Sequence, residues 1–540
     1  MMISQKVNFI KLADLCCLLL SVLFFISSGY SQDTQHYVEF WDSDQQKKKA
    51  EGDYKFGFEN GKWMFWYENG KIKEEANYEL GELQGQVIVW FESGKVKHKG
   101  YFKRNLQDSI YQEWYENGNL AAKGFFREGV KDSVWQFYSV NGKINHEKKY
   151  TNGTPILLSA WDITGQQTIE NGKGVLIKYD ETGAVIEKTT YNNGKMNGNC
   201  VRWFNKENLR EQGNYIDDKK DSLWTFYFPN GKIEKQIEYR NGILHGNYAL
   251  YFTSEKLQVK GEHLEGKKQG EWVWFYPNGN KDIEGNFVAD LEHGKWSYYY
   301  TTNQLESTGK YNNGKQDSVW NYFYVGGEKR KTGRFKEGFK DSLWTTWFEN
   351  GNKLHEGHYI SGKEEGKWTA WYENGQKKDE GSYSEGRMIG KWTGWYENGQ
   401  KNYEGNLSKN LKEGLWSFWY ENRNPRETGS YLNGMKQGKW TFYNPTGTKD
   451  SEGEFSENIN HGLWTYYYPT GQKQREESYK KGKLDGKSTV WYQGGTVQSE
   501  TEYNEGVKNG KMIIYSEDGK MISGFVYKNG KKVKDLTENH

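Results

Sequence analysis

Little in this chain suits the usual ways of closing a fold. Its 540 residues include only three cysteines and six prolines, and two of the cysteines, Cys16 and Cys17, fall in an apolar N-terminal stretch. Without that stretch only Cys200 is left, which excludes an internal disulfide and a cysteine-based zinc site. Aliphatic side chains are scarce as well: hydrophobic residues make up 34% of the chain, against roughly 45–50% in globular proteins. Half of that share is aromatic, so several conventional aliphatic cores are excluded. An excess of one charge is also missing. With 74 basic and 72 acidic side chains, no general attraction to nucleic acid or to an anionic membrane is expected. What the chain does have is 24 Trp and 40 Tyr. So aromatic and so nearly neutral a sequence lacks the composition of disorder. It is expected to fold by packing rings along a thin, extended object.

The one long apolar run lies at the start. Lys6 and Lys11 precede an apolar segment from Leu15 to Ile26, and small residues follow through Gly29 and Ser31. This is the layout of a secretory signal peptide with cleavage after Ser31. The run is shorter than the roughly 20 residues that span a bilayer, so no integral membrane span is expected after cleavage. Loss of Lys6, Lys11 and Asp14 leaves 72 basic against 71 acidic side chains, a net charge of +1.

Beyond that segment the chain repeats itself. "GKWTAWYENGQKKDEG" from Gly366 returns as "GKWTGWYENGQKNYEG" from Gly390. Anchored on the equivalent of Trp368, the units run Trp63, Val87, Tyr111 and Trp135. After a disturbed region they resume at Cys200 and continue through Trp224, Tyr248, Trp272, Trp296, Trp320, Trp344, Trp368, Trp392, Trp416, Trp440, Trp464, Ser488 and Met512. From Cys200 onward every step is 24 residues. Between Trp135 and Cys200 the best anchors are Leu158 and Val175. With a partial unit around Trp41 there are about 20 units.

Each unit reads as a β-hairpin. Trp368 to Tyr372 is rich in strand formers, Asn374-Gly375 is expected to supply a type I′ turn, and Gln376 to Tyr383 returns as the second strand. Four of the six prolines (Pro229, Pro277, Pro445 and Pro469) occupy one repeat position just before the turn, where no ladder bond is lost. No amphipathic run is long enough for a helix. The expected fold is all-β: an elongated, twisted, single-layer antiparallel sheet of about 20 tandem 24-residue hairpins, each touching only its neighbours. About 40 strands at roughly 4.8 Å give a ribbon on the order of 190 Å. The expected organisation is a signal peptide over 1–31, a cap and partial repeat over 32–62, repeats over 63–150, irregular repeats over 151–199, repeats over 200–523, and a capping strand and tail over 524–540.

The pattern Tyr311-Asn-Asn-Gly-Lys followed by Trp320, and Tyr431-Leu-Asn-Gly-Met-Lys-Gln-Gly-Lys-Trp440, resembles MORN repeats, in the variant found in bacterial proteins similar to the YwqK-type antitoxin family. The resemblance covers about Trp63 to Met512. It implies hairpins in a single-layer sheet and a role as a protein- or lipid-contact scaffold.

Local motifs for chemistry do not survive inspection. "GKLDGKS" from Gly482 has three residues between its glycines where a phosphate loop needs four. "HEGHY" from His355 lies on an expected strand, where a zinc-protease motif needs a helix. The carboxylates Glu373, Glu397, Glu421, Glu380 and Glu404 recur along the array with lysines such as Lys377 and Lys401, the pattern of cross-strand pairing rather than of a unique active site. No catalytic residue, cofactor or metal is expected. Trp347, Trp371, Trp395 and Trp419 are expected to form an aromatic row, and with Tyr372, Tyr396 and Tyr420 they are the candidate interaction surface. The expected function is that of a non-enzymatic exported scaffold for a protein partner. A carbohydrate or cell-envelope binding array, or a toxin-neutralising antitoxin, are the alternatives. A tagged full-length chain is expected to leave the cytoplasm with a new N-terminus at Gln32; N-terminal sequencing that finds residues 1–31 retained on a cytoplasmic chain contradicts this.

Overall fold

The computed structural model describes residues 34–537; the segment read as a signal peptide lies outside them. The fold is all-β, an open antiparallel sheet of tandem hairpins with 44 strands among the described residues. The described residues divide into two compact units on either side of the Gly198–Asn199 boundary.

In the second unit the pattern is regular. A nine-residue strand such as Lys363–Trp371 is followed by an eight-residue strand such as Lys377–Ser384, then by the next long strand, Arg387–Trp395. Each pairs with the strand before and the strand after it, Trp368 lying opposite Gly357 on one side and Gly381 on the other.

The turn at Asn374-Gly375 is not the expected type I′. Asn374 keeps an ordinary backbone and only Gly375 has positive φ, +87°. Tyr372 donates its N–H to the Gln376 carbonyl at 2.8 Å, and Gly375 donates to Tyr372 at 2.9 Å. This is a three-residue loop, a type I turn closed by glycine in the left-handed region. The type I′ turn sits at the link between repeats, where Glu385 (+48°) and Gly386 (+77°) both have positive φ between Ser384 and Arg387. A non-glycine residue there is strained, and the preceding repeat supplies compensation. The Glu385 N–H donates to the Glu365 carboxylate at 2.9 Å, and Asn433 donates likewise to Glu413 at 2.9 Å.

The core is a column of anchor tryptophans, each lying over a glycine. All twelve tryptophan anchors, from Trp63 to Trp464, have glycine eleven residues earlier, on the strand before. A Cβ on any of these glycines meets the indole ring well inside 3.0 Å. Where the anchor is not tryptophan the glycine is usually replaced: Val87 faces Ala76, Cys200 follows Thr189, Tyr248 faces Ile237, and Met512 faces Thr501. Eleven of the twelve indoles donate their N–H to the carbonyl just after the glycine, as Trp440 does to Ser430 at 3.1 Å. The ring is thus held flat against the neighbouring backbone with its polar edge satisfied. Edge-on rings from the intervening strands complete the column: Trp344, Tyr359, Trp368, Tyr383 and Trp392 follow one another at 5.1–6.2 Å between centroids.

In the first unit the irregular stretch uses aliphatic packing instead. Leu157, Ala160 and Ile169 are buried, with Leu176 and Tyr191 against them. The anchors expected at Leu158 and Val175 are each one residue off. A shift of one residue moves a strand side chain to the opposite face, and Val175 is accordingly exposed. The last strand, Lys531–Asp535, pairs with Met521–Lys528 and carries three lysines, a composition that discourages further strand addition at an edge.

Gly309 faces the fully buried Trp320 from a strand position with no positive φ, so an added methyl acts by overlap alone. Gly309→Ala is expected to cost roughly 1–3 kcal/mol, seen as lost amide-exchange protection in the strands around Trp320. Gly366→Ser is expected to cost less than about 0.5 kcal/mol, because Ser318 and Ser342 already hold the same bulge position at φ +60° and +59°.

Candidate functional site

A second column of rings, interrupted in several repeats by residues such as Val89, Glu113, Arg202 and Leu250, runs beside the anchors two residues further along the long strand. Phe442 stands between Trp440 and Trp464 at 6.0 Å from each, nearly parallel to both (27° and 24°). Tyr298 stands in the same way between Trp296 and Trp320, at 6.3 and 6.1 Å. In three consecutive repeats this position holds Thr346, Ala370 and Gly394. Two of the resulting gaps are filled from the adjoining short strand. His355 takes the first, stacking on Trp368 at 6.2 Å with its Nε2 at 3.2 Å from the Thr346 hydroxyl. Tyr403 takes the third: its ring lies over Gly394, where a Cβ would overlap it, and stacks on Trp416 at 6.0 Å. At the middle gap the short strand supplies Asp379, opposite Ala370 and Gly394, and no ring.

The outcome is a cavity of about 510 Å³ with Trp368, Tyr383, Trp392, Tyr403 and Phe418 among its walls and His355, Asp379 and Lys412 among its polar groups. Trp368 is the one tryptophan anchor that is not buried. Trp392, on the other side, is buried, and its indole N–H is the one in the column that makes no hydrogen bond. Lysines cap neighbouring anchors, Lys340 over Trp344 at 4.9 Å and Lys412 over Trp416 at 4.8 Å. Glu364 and Met388 occupy the matching positions beside Trp368 and Trp392.

The Tyr403 hydroxyl donates to the Asp379 carboxylate. Burial, reinforced by that carboxylate, pushes the Tyr403 phenol well above its usual range, so it stays protonated as a donor. Burial, reinforced by Lys340 and Lys331, holds His355 below its ordinary value.

Of the residues expected to form the interaction surface, the tryptophans follow the second-column position by one residue and so point to the other face. Trp347, Trp371, Trp395 and Trp419 are half-buried, as are Tyr372, Tyr396 and Tyr420. The tyrosine hydroxyls donate to backbone one repeat on: Tyr372 to Trp395, Tyr396 to Trp419 and Tyr420 to Tyr443, at 2.8–2.9 Å. The tryptophans do not form a ring-on-ring row. One repeat is two strands, roughly 10 Å, and lysines fill the space, with Lys353, Lys377 and Lys401 at 5.5, 5.6 and 5.2 Å from the rings of Trp371, Trp395 and Trp419. Of the recurring carboxylates, those on the second strand pair with lysines, Glu380 with Lys377 at 2.6 Å and Lys367 at 3.1 Å, and Glu404 with Lys401 at 2.8 Å and Lys391 at 3.0 Å; the ion pairs do not extend to Glu373, Glu397 and Glu421 at the turns. His355 lines the cavity, whereas His358 is exposed and lends its carbonyl to Trp368 at 3.2 Å. The cavity had a sequence signal, the run Thr346, Ala370, Gly394 in an otherwise bulky column. It is legible only when the column is compared position by position.

Nine segments, residues 59–80, 83–104, 107–128, 268–289, 292–313, 364–385, 388–409, 460–481 and 484–505, match the family model described as MORN repeat variant. These nine hairpins are similar to MORN-variant repeats, and together they make up less than half of the chain. Residues 159–260 match a second model, described as an uncharacterised protein. No curated protein matches the chain. Among solved structures, "Crystal Structure of TcdB2-TccC3-Cdc42" aligns at 10% identity over 92% of this chain and 31% of that one, with a TM-score of 0.12. "Crystal Structure of TcdB2-TccC3" aligns at 11% identity over 93% and 35%, also with a TM-score of 0.12. The chain spans about a third of the length of these proteins.

A proton taken up by His355 in the unfolded chain is resisted in the folded one. Stability rises with pH wherever the unfolded state binds more protons, so local stability around Lys353–Ile360 is expected to be intact above the ordinary histidine range and to fall as pH drops below about 6.5. An NMR titration of His355 is expected to show a midpoint below that value, and His355→Gln is expected to flatten the exchange-protection profile between pH 7 and 5.

Proposed function

We propose that this protein is a non-enzymatic, exported scaffold whose MORN-variant repeats position an aromatic cleft for a protein partner. One observation carries the reading. The repeated polar and aromatic groups are consumed in tying each hairpin to the next, whereas the Trp368–Trp416 segment departs from the pattern and opens a lined cavity. A feature copied along an array serves the array; a feature occurring once is available for recognition. The cavity's size falls within the range of specific binding sites, about 300–1,000 Å³, and its aromatic walls are of the kind that dominate protein interfaces. Export rests on the N-terminal pattern of Lys6, Lys11 and the apolar run to Ile26.

The immobilised chain, lacking residues 1–31, is expected to retain a saturable polypeptide from cell-envelope extract, and protease treatment of the extract is expected to abolish retention. Retention by protease-stripped envelope glycans alone contradicts the reading and favours a carbohydrate-binding array.

A further inference from the structure

We infer that the gap at Ala370 is a vacant rung that receives one planar aromatic side chain, an indole or phenol, from a polypeptide partner. The inference deepens the proposed function and rests on it for the source of the ring. The argument is geometric. At three places in this column a ring between two consecutive anchor tryptophans lies about 6 Å from each: Trp274, Tyr298 and Phe442. Between Trp368 and Trp392 the backbone keeps the same register, Ala370 pairing with His355 and Asp379 as Phe442 pairs with Glu427 and Ser451. Only the side chain is missing. The walls are therefore set at ring-to-ring spacing by the covalent repeat on either side, and an entering ring would find both faces in place without reorganisation.

The polar groups choose among rings. Asp379 stands on the short strand beside the gap and already accepts from Tyr403. A carboxylate so placed favours a ring that carries a donor at its edge, an indole N–H or a phenol O–H, over an unsubstituted phenyl. The lysines that cap neighbouring anchors are replaced at the two walls by Glu364 and Met388, leaving the rings uncovered by cations. The volume, about 510 Å³, exceeds one side chain and leaves space for the flanking peptide.

The test is ligand-observed NMR on the full mature chain with N-acetyl-Gly-Trp-Gly-amide, N-acetyl-Gly-Tyr-Gly-amide and the corresponding Phe peptide. The Trp and Tyr peptides are expected to give saturable transfer and to bind more tightly than the Phe peptide. Ala370→Phe supplies the ring internally and is expected to weaken binding about tenfold or more. Ala370→Val, which adds the side chain found at Val89 and Val490 in other repeats, is expected to weaken it less, and serves if the larger variant does not fold. Asp379→Asn is expected to narrow the preference for Trp and Tyr over Phe. Absence of saturable binding, binding unchanged in both Ala370 variants, or tighter binding of tetramethylammonium or methyl glucoside to the same cavity overturns the inference. If the envelope polypeptide is retained equally by wild type and Ala370→Phe, the scaffold reading stands and the vacant rung does not. If the peptides bind but no polypeptide is retained, the reverse holds.

Discussion

The contact on which the rest depends is an indole ring lying flat on a glycine of the preceding strand. A single-layer sheet has no second layer to bury its aromatic face, so burial must come from neighbours along the sheet. Placing the largest side chain over the smallest residue lets the ring approach the backbone itself. The ring then covers the strand before it, donates its N–H to that strand's next carbonyl, and is walled by rings from the strands on either side. A β-carbon at the glycine would remove this approach, and the array obeys that exclusion at each of its twelve tryptophan anchors.

The period, the hairpins and the absence of helix were legible because a 24-residue recurrence with strand formers, turn residues and placed prolines admits few other readings. The turn types were not. Asn-Gly marks both a type I′ turn and a type I turn closed by glycine, and the choice depends on whether three residues or two are left between the paired strand ends. The loop at Glu373-Asn374-Gly375 has three, and the link at Glu385-Gly386 has two. In the irregular stretch the period fails, so face assignment had nothing to fix it, and a one-residue error exchanged Leu157 for Leu158. The tryptophan–glycine couple was visible as a constant separation of eleven residues, but its meaning needs the register that brings the two together.

Recurrence also explains why the site was harder to read than the fold. A scan for conspicuous residues finds what is repeated, and here the repeated groups, including Trp371 with its lysines and Tyr372 with its carbonyl, hold one hairpin to the next. The distinctive place is marked by small side chains. Thr346 and Gly394 are compensated by His355 and Tyr403, while Ala370 has only the carboxylate of Asp379 beside it. The same architecture that seats Trp274, Tyr298 and Phe442 between consecutive tryptophans fixes the dimensions of the rung left open at Ala370.

The central claim, that ring and glycine act as a couple between adjacent strands, is tested most directly by a double-mutant cycle at Gly429 and Trp440, read as local exchange protection. Natural repeats pair Val87 with Ala76, so the variants are Gly429→Ala, Trp440→Val and both together. The account predicts that Gly429→Ala is costly beside tryptophan and close to neutral beside valine, a coupling of roughly 1 kcal/mol or more. Additive effects at the two positions would contradict it.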